Sequence, residues 1–130
     1  MFMSTRSLIG IQMDKETVKY SYCHCDGYPQ YNGQILSDFY TDRVKIMDLI
    51  SRGSFSGLQE EIHDISYYNV DDGMGNQDVS LKRYFEQEDF HWDEYRYLYT
   101  LENKWVIYDV YKNKQYDLKE LLKKINKSAV

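Results

Sequence analysis

The sequence predicts an α+β fold: an antiparallel sheet built from two hairpins, with helices packed on one face, in a single domain over residues 1–130. Three observations carry that reading. Two stretches, "SLIGIQMDKETVKYSYCH" (7–24) and "YRYLYTLENKWVIYDVY" (95–111), alternate side chains between two faces around a short polar turn, as paired strands do. Between and after them, "GQILSDFY", "DRVKIMDLISRG" and "DLKELLKKI" set apolar residues three and four apart. Two hairpins with helices between and after them make an antiparallel sheet with a helical layer.

In chain order, Ser7, Ile9, Ile11 and Met13 share one face of the first strand, and Leu8, Gly10 and Gln12 the other. "DKE" (14–16) turns the chain, and Val18, Tyr20, Tyr22 and His24 then line up on the second strand. Beyond Pro29 the period becomes helical through Ile35, Leu36, Phe39 and Tyr40. A second helix follows over 42–53, with Thr41 or Asp42 as its cap and Gly53 as its end. "SGLQEEIHDI" (56–65) predicts a short third helix, and "NVDDGMGNQD" (69–78) a loop. Tyr95, Tyr97 and Tyr99 share a face of the next strand, and Trp105, Ile107 and Tyr111 a face of its partner, with "ENK" as the turn. Leu118, Leu121, Leu122 and Ile125 form the apolar stripe of a closing helix.

Composition excludes several function classes. No apolar run approaches the roughly 18 residues that span a bilayer, and no leader-like start is visible, so the expected setting is cytoplasmic, without membrane attachment. A net charge of -5 argues against direct nucleic-acid binding, which needs a basic surface. The charge is uneven: "EQEDFHWDE" (86–94) carries five acids and no base, whereas Lys112 to Lys127 is lysine-rich. Fourteen tyrosines suit half-buried strands and recognition surfaces alike. Nucleotide-binding, metalloprotease and hydrolase motifs are absent.

The densest chemistry lies in "SYCHCDGYPQYNG" (21–33). Cys23 and Cys25 share a strand face while His24 points away, and no second cysteine pair exists, so no metal and no cofactor is expected. A Cys23–Cys25 disulfide would sit near the limit of its geometry, and free thiols are expected. His24 and Asp26, two residues apart, are placed for a His–Asp pair; the simpler reading is a turn at Asp26-Gly27 in which Gly27 takes a positive φ. "STRS" (4–7) sets a guanidinium among hydroxyls, a clamp for phosphate or carboxylate. The hairpin brings this stretch beside Tyr22 to His24, so Thr5, Arg6, Ser7, Tyr22, His24, Asp26 and Tyr28 make the candidate binding surface. Glu88, Asp89, Asp93, Tyr95 and Tyr97 make a candidate partner surface, and no residue is assigned a catalytic role.

"MSTRSLIGI" (3–11), "YCHCDGYPQYNGQIL" (22–36) and "DEYRYLYTLENKW" (93–105) resemble a family of small phage and prophage proteins. Its members open with Met-(Ser/Gly)-Thr-Arg-Ser-x-Ile and continue with Tyr-x-His-x-Asp-Gly-Tyr-Pro. The resemblance carries over Thr5, Arg6 and Ser7, then Tyr22, His24, Asp26, Gly27, Tyr28, Pro29 and Gly33, and finally Tyr95, Tyr97 and Trp105. It departs at Cys25, where members often carry Trp, and it implies, as an expectation, a natural start at Met3. It implies a phage accessory protein for host takeover or counter-defence that binds a host protein without catalysis. A binder of a phosphorylated small molecule or nucleotide signal is the second expectation, and a His–Asp hydrolase the third. A homo-oligomer is left open.

Overall fold

The computed structural model describes residues 5–68, 77–86 and 93–128. The strands are β1 (Ser7–Gln12), β2 (Thr17–Cys23), β3 (Gln77–Ser80), β4 (Tyr95–Tyr99), β5 (Trp105–Asp109) and β6 (Lys114–Asp117). The helices are α1 (Gln34–Phe39), entered through a π-turn at Pro29–Gly33, α2 (Arg43–Ser51), α3 (Leu81–Glu86) and α4 (Leu118–Ser128). The fold is α+β. One sheet runs in the order β3-β2-β1-β4-β5-β6. Among these named strands only β1 against β4 is parallel, with Ser7 opposite Tyr95, and the other strand pairs are antiparallel; an isolated Cys23–Phe55 bridge is parallel as well.

Local chemistry sets the turns. The Asp14 carboxylate accepts from the backbone N–H of Glu16 (2.9 Å) and Thr17 (2.8 Å), which closes the first hairpin. Asn103, at φ 61°, turns the second, and Asn113, at φ 54°, turns β5 into β6. Asp42 caps α2 by accepting from Val44 N–H at 3.2 Å, and Gly53 ends it at φ 99°.

All six residues of β1 are buried, because both sheet faces are covered. Ile9, Ile11, Tyr97, Tyr99, Trp105 and Ile107 face α1, α2 and α4. Leu8, Val18, Tyr20 and Leu98 face the other way, onto Tyr84 of α3. Among the described residues, three helices thus occupy the expected face and one short helix the opposite one. Gly10 lets α3 approach: a Cβ there would stand 2.9 Å from the Tyr84 ring and from Val18.

Several local readings need correction. The 56–65 stretch forms only a 3-10 turn at Ile62–Asp64. Its carbonyls are taken by side chains instead: Tyr40 donates to Gln59 O at 2.7 Å and Lys45 to Glu60 O at 2.8 Å. Gln77 and Asp78, placed in a loop, begin β3, while 69–76 lie outside the described residues. Tyr111 falls past the end of β5 and is 78% exposed. Among the described residues, no helix is long and apolar enough to cross a membrane.

Much of the tyrosine content is structural. Tyr97 and Tyr99, buried, and Tyr67, half-buried, donate to the carbonyls of Gly27 (2.7 Å), Thr41 (3.1 Å) and Leu49 (3.0 Å). Each phenol ties a loop to the layer beneath it. Burial holds Tyr40, Tyr67, Tyr84 and Tyr97 in the neutral form well above the ordinary tyrosine range, and raises Tyr20, Tyr22 and Tyr95 in the same direction. Their stabilising contribution is full below the unfolded value near 10 and is lost as pH climbs through the raised folded values. Urea midpoints are therefore expected to fall steeply above about pH 10, with phenolate absorbance appearing in step with unfolding. Phenols that ionise near 10 in a protein that stays folded would contradict this burial.

Candidate functional site

The site lies where β1 begins and β2 ends, with Ser7 opposite Cys23 in the register. From Tyr22 on, the second strand also takes a new neighbour. Phe55 N–H donates to Tyr22 O (3.0 Å), His24 N–H to Phe55 O (3.1 Å) and Cys25 N–H to Ser56 O (2.8 Å). Segment 54–56 therefore splints His24 and Cys25 as an extra strand would. Asp26 then reverses the chain at φ 59°.

The turn is present, but the roles of its two residues differ from expectation. Asp26, and not Gly27, adopts the left-handed conformation, which Asp tolerates better than most residues. Gly27 is needed for closeness: a Cβ there would stand 2.7 Å from Ser7 Cβ and 2.9 Å from Thr5 O. Its N–H donates to Thr5 O at 2.8 Å, and its carbonyl accepts from Tyr97. Thr5 and Ser7 are consequently structural neighbours of the turn. Ser7 is fully buried, so its hydroxyl cannot join Arg6 in a solvent-facing clamp, and Ser4 lies outside the described residues.

Beneath the turn is a small polar core that sequence reading missed. The Asn32 amide, fully buried, donates toward Ser7 Oγ and Cys23 Sγ, each at 3.4 Å. Burial pushes the Cys23 thiol up to about 11, with the Asn32 hydrogen bond opposing weakly. A neutral, enclosed thiol is neither a nucleophile nor a metal ligand near neutral pH. Among the described residues, no group of three or more His, Cys, Asp or Glu is arranged to hold a metal ion.

The half-exposed part of the site is made by Arg6, Tyr22 and His24. The Tyr22 hydroxyl and His24 Nδ1 share a hydrogen bond of 2.8 Å, and their rings tilt at 57° with centroids 6.0 Å apart. Burial raises the Tyr22 phenol, and the Arg6 guanidinium, near enough to act on it, pulls it back down. Tyr68, 43% exposed and held by its N–H to Ser54 O at 2.9 Å, is electrostatically coupled to the same phenol. Tyr68 had no sequence signal, since it arrives from a distant loop. Tyr28 is 37% exposed and leans on Tyr31, centroids 6.3 Å apart.

The His24–Asp26 pair suggested by their spacing does not form. Among the described residues His24 makes no ion pair with Asp26, and its Nδ1 faces Tyr22. The reason is the turn itself: at Asp26 the chain has already left the extended conformation that would put alternate residues on one side.

The candidate partner surface is corrected more heavily. Asp93, 4% exposed, pairs with the buried Arg96 at 2.8 Å, and Tyr97 is fully buried beneath Gly27. Neither reaches a partner. Tyr95 is half-buried against the helical layer, and Glu88 and Asp89 lie outside the described residues. Comparison with protein-family models, with curated proteins and with solved structures finds no match to this chain.

Proposed function

We propose that the chain is a phage accessory protein that binds a host protein without catalysing a reaction, through the sheet end carrying Arg6, Tyr22 and His24. One observation carries the reading: the Tyr22–His24 hydrogen bond, with the Arg6 charge beside it, on a half-exposed edge whose backbone is splinted on both sides. Side chains pre-ordered in this way lose little entropy on association, and tyrosine and arginine are the usual anchors of protein interfaces. Tyr28 and Tyr68 extend the same kind of surface with exposed rings. Catalysis has weaker support, because the His24 imidazole is held by a phenol where a hydrolase would place an orienting carboxylate. The setting in phage takeover or counter-defence rests on the sequence resemblance.

The test is affinity for the host protein that co-purifies with the wild-type chain, re-measured by calorimetry with both partners pure. Arg6→Glu and His24→Ala are each expected to weaken binding by about tenfold or more while leaving the melting temperature within a few degrees. Unchanged affinity in both variants would remove this edge from the interface. Turnover that disappears in His24→Ala would return the site to enzymology.

A further inference from the structure

Between the sheet and the helical layer, residues of α4, of α1 and of the turn between β4 and β5 line a cleft of about 350 Å³. Its deepest lining is aromatic: Tyr99 and Trp105, only 4% and 7% exposed. Ser37 of α1, Thr41 just beyond it, Asn103 and the exposed Lys104, Lys119 and Lys123 also line it.

The charges at this mouth do not cancel. Asp117 is engaged in capping α4, where it accepts from Glu120 N–H at 3.1 Å. Glu120 pairs with Lys123 at 3.4 Å. Lys104 and Lys119 make no ion pair among the described residues, although both line the cleft. Three lysines against Asp117 and Glu120 leave the cleft lining at net +1 in a protein whose net charge is -5. The surrounding stretch 112–128 carries six lysines against two acids, net +4, which leaves -9 for the rest of the chain. By charge alone, an anionic ligand is favoured near this stretch over the net-acidic remainder of the chain.

We infer that this cleft binds a small phosphate monoester, its phosphate held by Lys104 and Lys119 and its organic body against Trp105 and Tyr99. A phosphate monoester offers a near-dianionic group with three acceptor oxygens, matching a rim of ammonium, hydroxyl and amide donors. The volume exceeds what inorganic phosphate would fill, and it falls at the small end of ordinary ligand sites. The site is separate from Arg6 and His24, so it stands or falls independently of the interface proposed above.

Calorimetric titration of the whole chain with ribose 5-phosphate, glycerol 3-phosphate and AMP tests the inference, with ribose, glycerol and adenosine as unphosphorylated counterparts. At least one phosphate ester is expected to bind while its counterpart does not. The double variant Lys104→Gln with Lys119→Gln, both on the exposed rim, is expected to weaken that binding by about tenfold or more. Arg6→Gln is expected to leave it unchanged. No binding by any of the three esters, equal binding of an unphosphorylated counterpart, an unaffected double variant, or loss in the Arg6 variant would each overturn the assignment.

Discussion

Replacing Arg96 with methionine is expected to cost about 3–5 kcal/mol of stability, because it strands a carboxylate in the interior. Both side chains of the Arg96–Asp93 pair are only 1% exposed. The guanidinium binds Asp93 through two nitrogens, at 2.8 and 3.3 Å. Its remaining donors reach Tyr84 O (3.0 Å) and Phe85 O (3.3 Å), carbonyls in the last turn of α3 that the helix itself leaves without partners. One arginine therefore neutralises a buried acid and anchors a six-residue helix too short to stand alone. The effect of the variant should concentrate on α3, the one helix on that face among the described residues, so hydrogen exchange over 81–86 should rise before the rest of the sheet opens. A double variant, Arg96→Met with Asp93→Leu, is expected to recover a large part of the loss, since no charge is then left unpaired. A single Arg96→Met protein within 1 kcal/mol of wild type in urea would show that the pair is dispensable.

Arg96 also explains which features could be read from the chain. Alternation in "YRYLYTLE" places Arg96 and Leu98 on one side and the tyrosines on the other, and the sheet keeps that division. Alternation does not say whether each side is covered. Here both are, so Asp93 and Tyr97, read as surface, are interior. The hairpins, the α2 caps and the α4 stripe were legible because their signals are local and repeat over several residues. β3 (QDVS) and β6 (KQYD) hold one apolar residue each, so no alternation shows, α3 makes fewer than two turns, and the parallel β1–β4 pairing has no local signal at all. The site divides in the same way. Arg6, Tyr22 and His24 could be brought together from hairpin register alone, whereas Asn32, the 54–56 splint and Tyr68 come from loops whose return to the sheet is written only in tertiary contacts.

The second large effect is expected at Gly27→Ala, a one-carbon change with a cost of about 1–3 kcal/mol. The added methyl would meet Ser7 Cβ at 2.7 Å and Thr5 O at 2.9 Å, and Thr5 O is the acceptor of the Gly27 N–H itself. Relief must come from separating β1 from the turn, which stretches that 2.8 Å bond and draws the Gly27 carbonyl away from Tyr97. Both hydrogen bonds of Gly27 are strained together, and its partner Thr5 and the turn at Asp26 adjoin Arg6 and His24 in the chain. Stability and partner affinity should consequently fall together in Gly27→Ala, whereas Arg96→Met should lower stability with affinity retained under conditions where the variant is folded. Ser7→Gly in the Gly27→Ala background removes the closest clash and leaves the carbonyl one, so partial recovery of the urea midpoint is expected. Full recovery would assign the whole constraint to Ser7; none would assign it to the Thr5 carbonyl and to the backbone path that carries Arg6 past the turn.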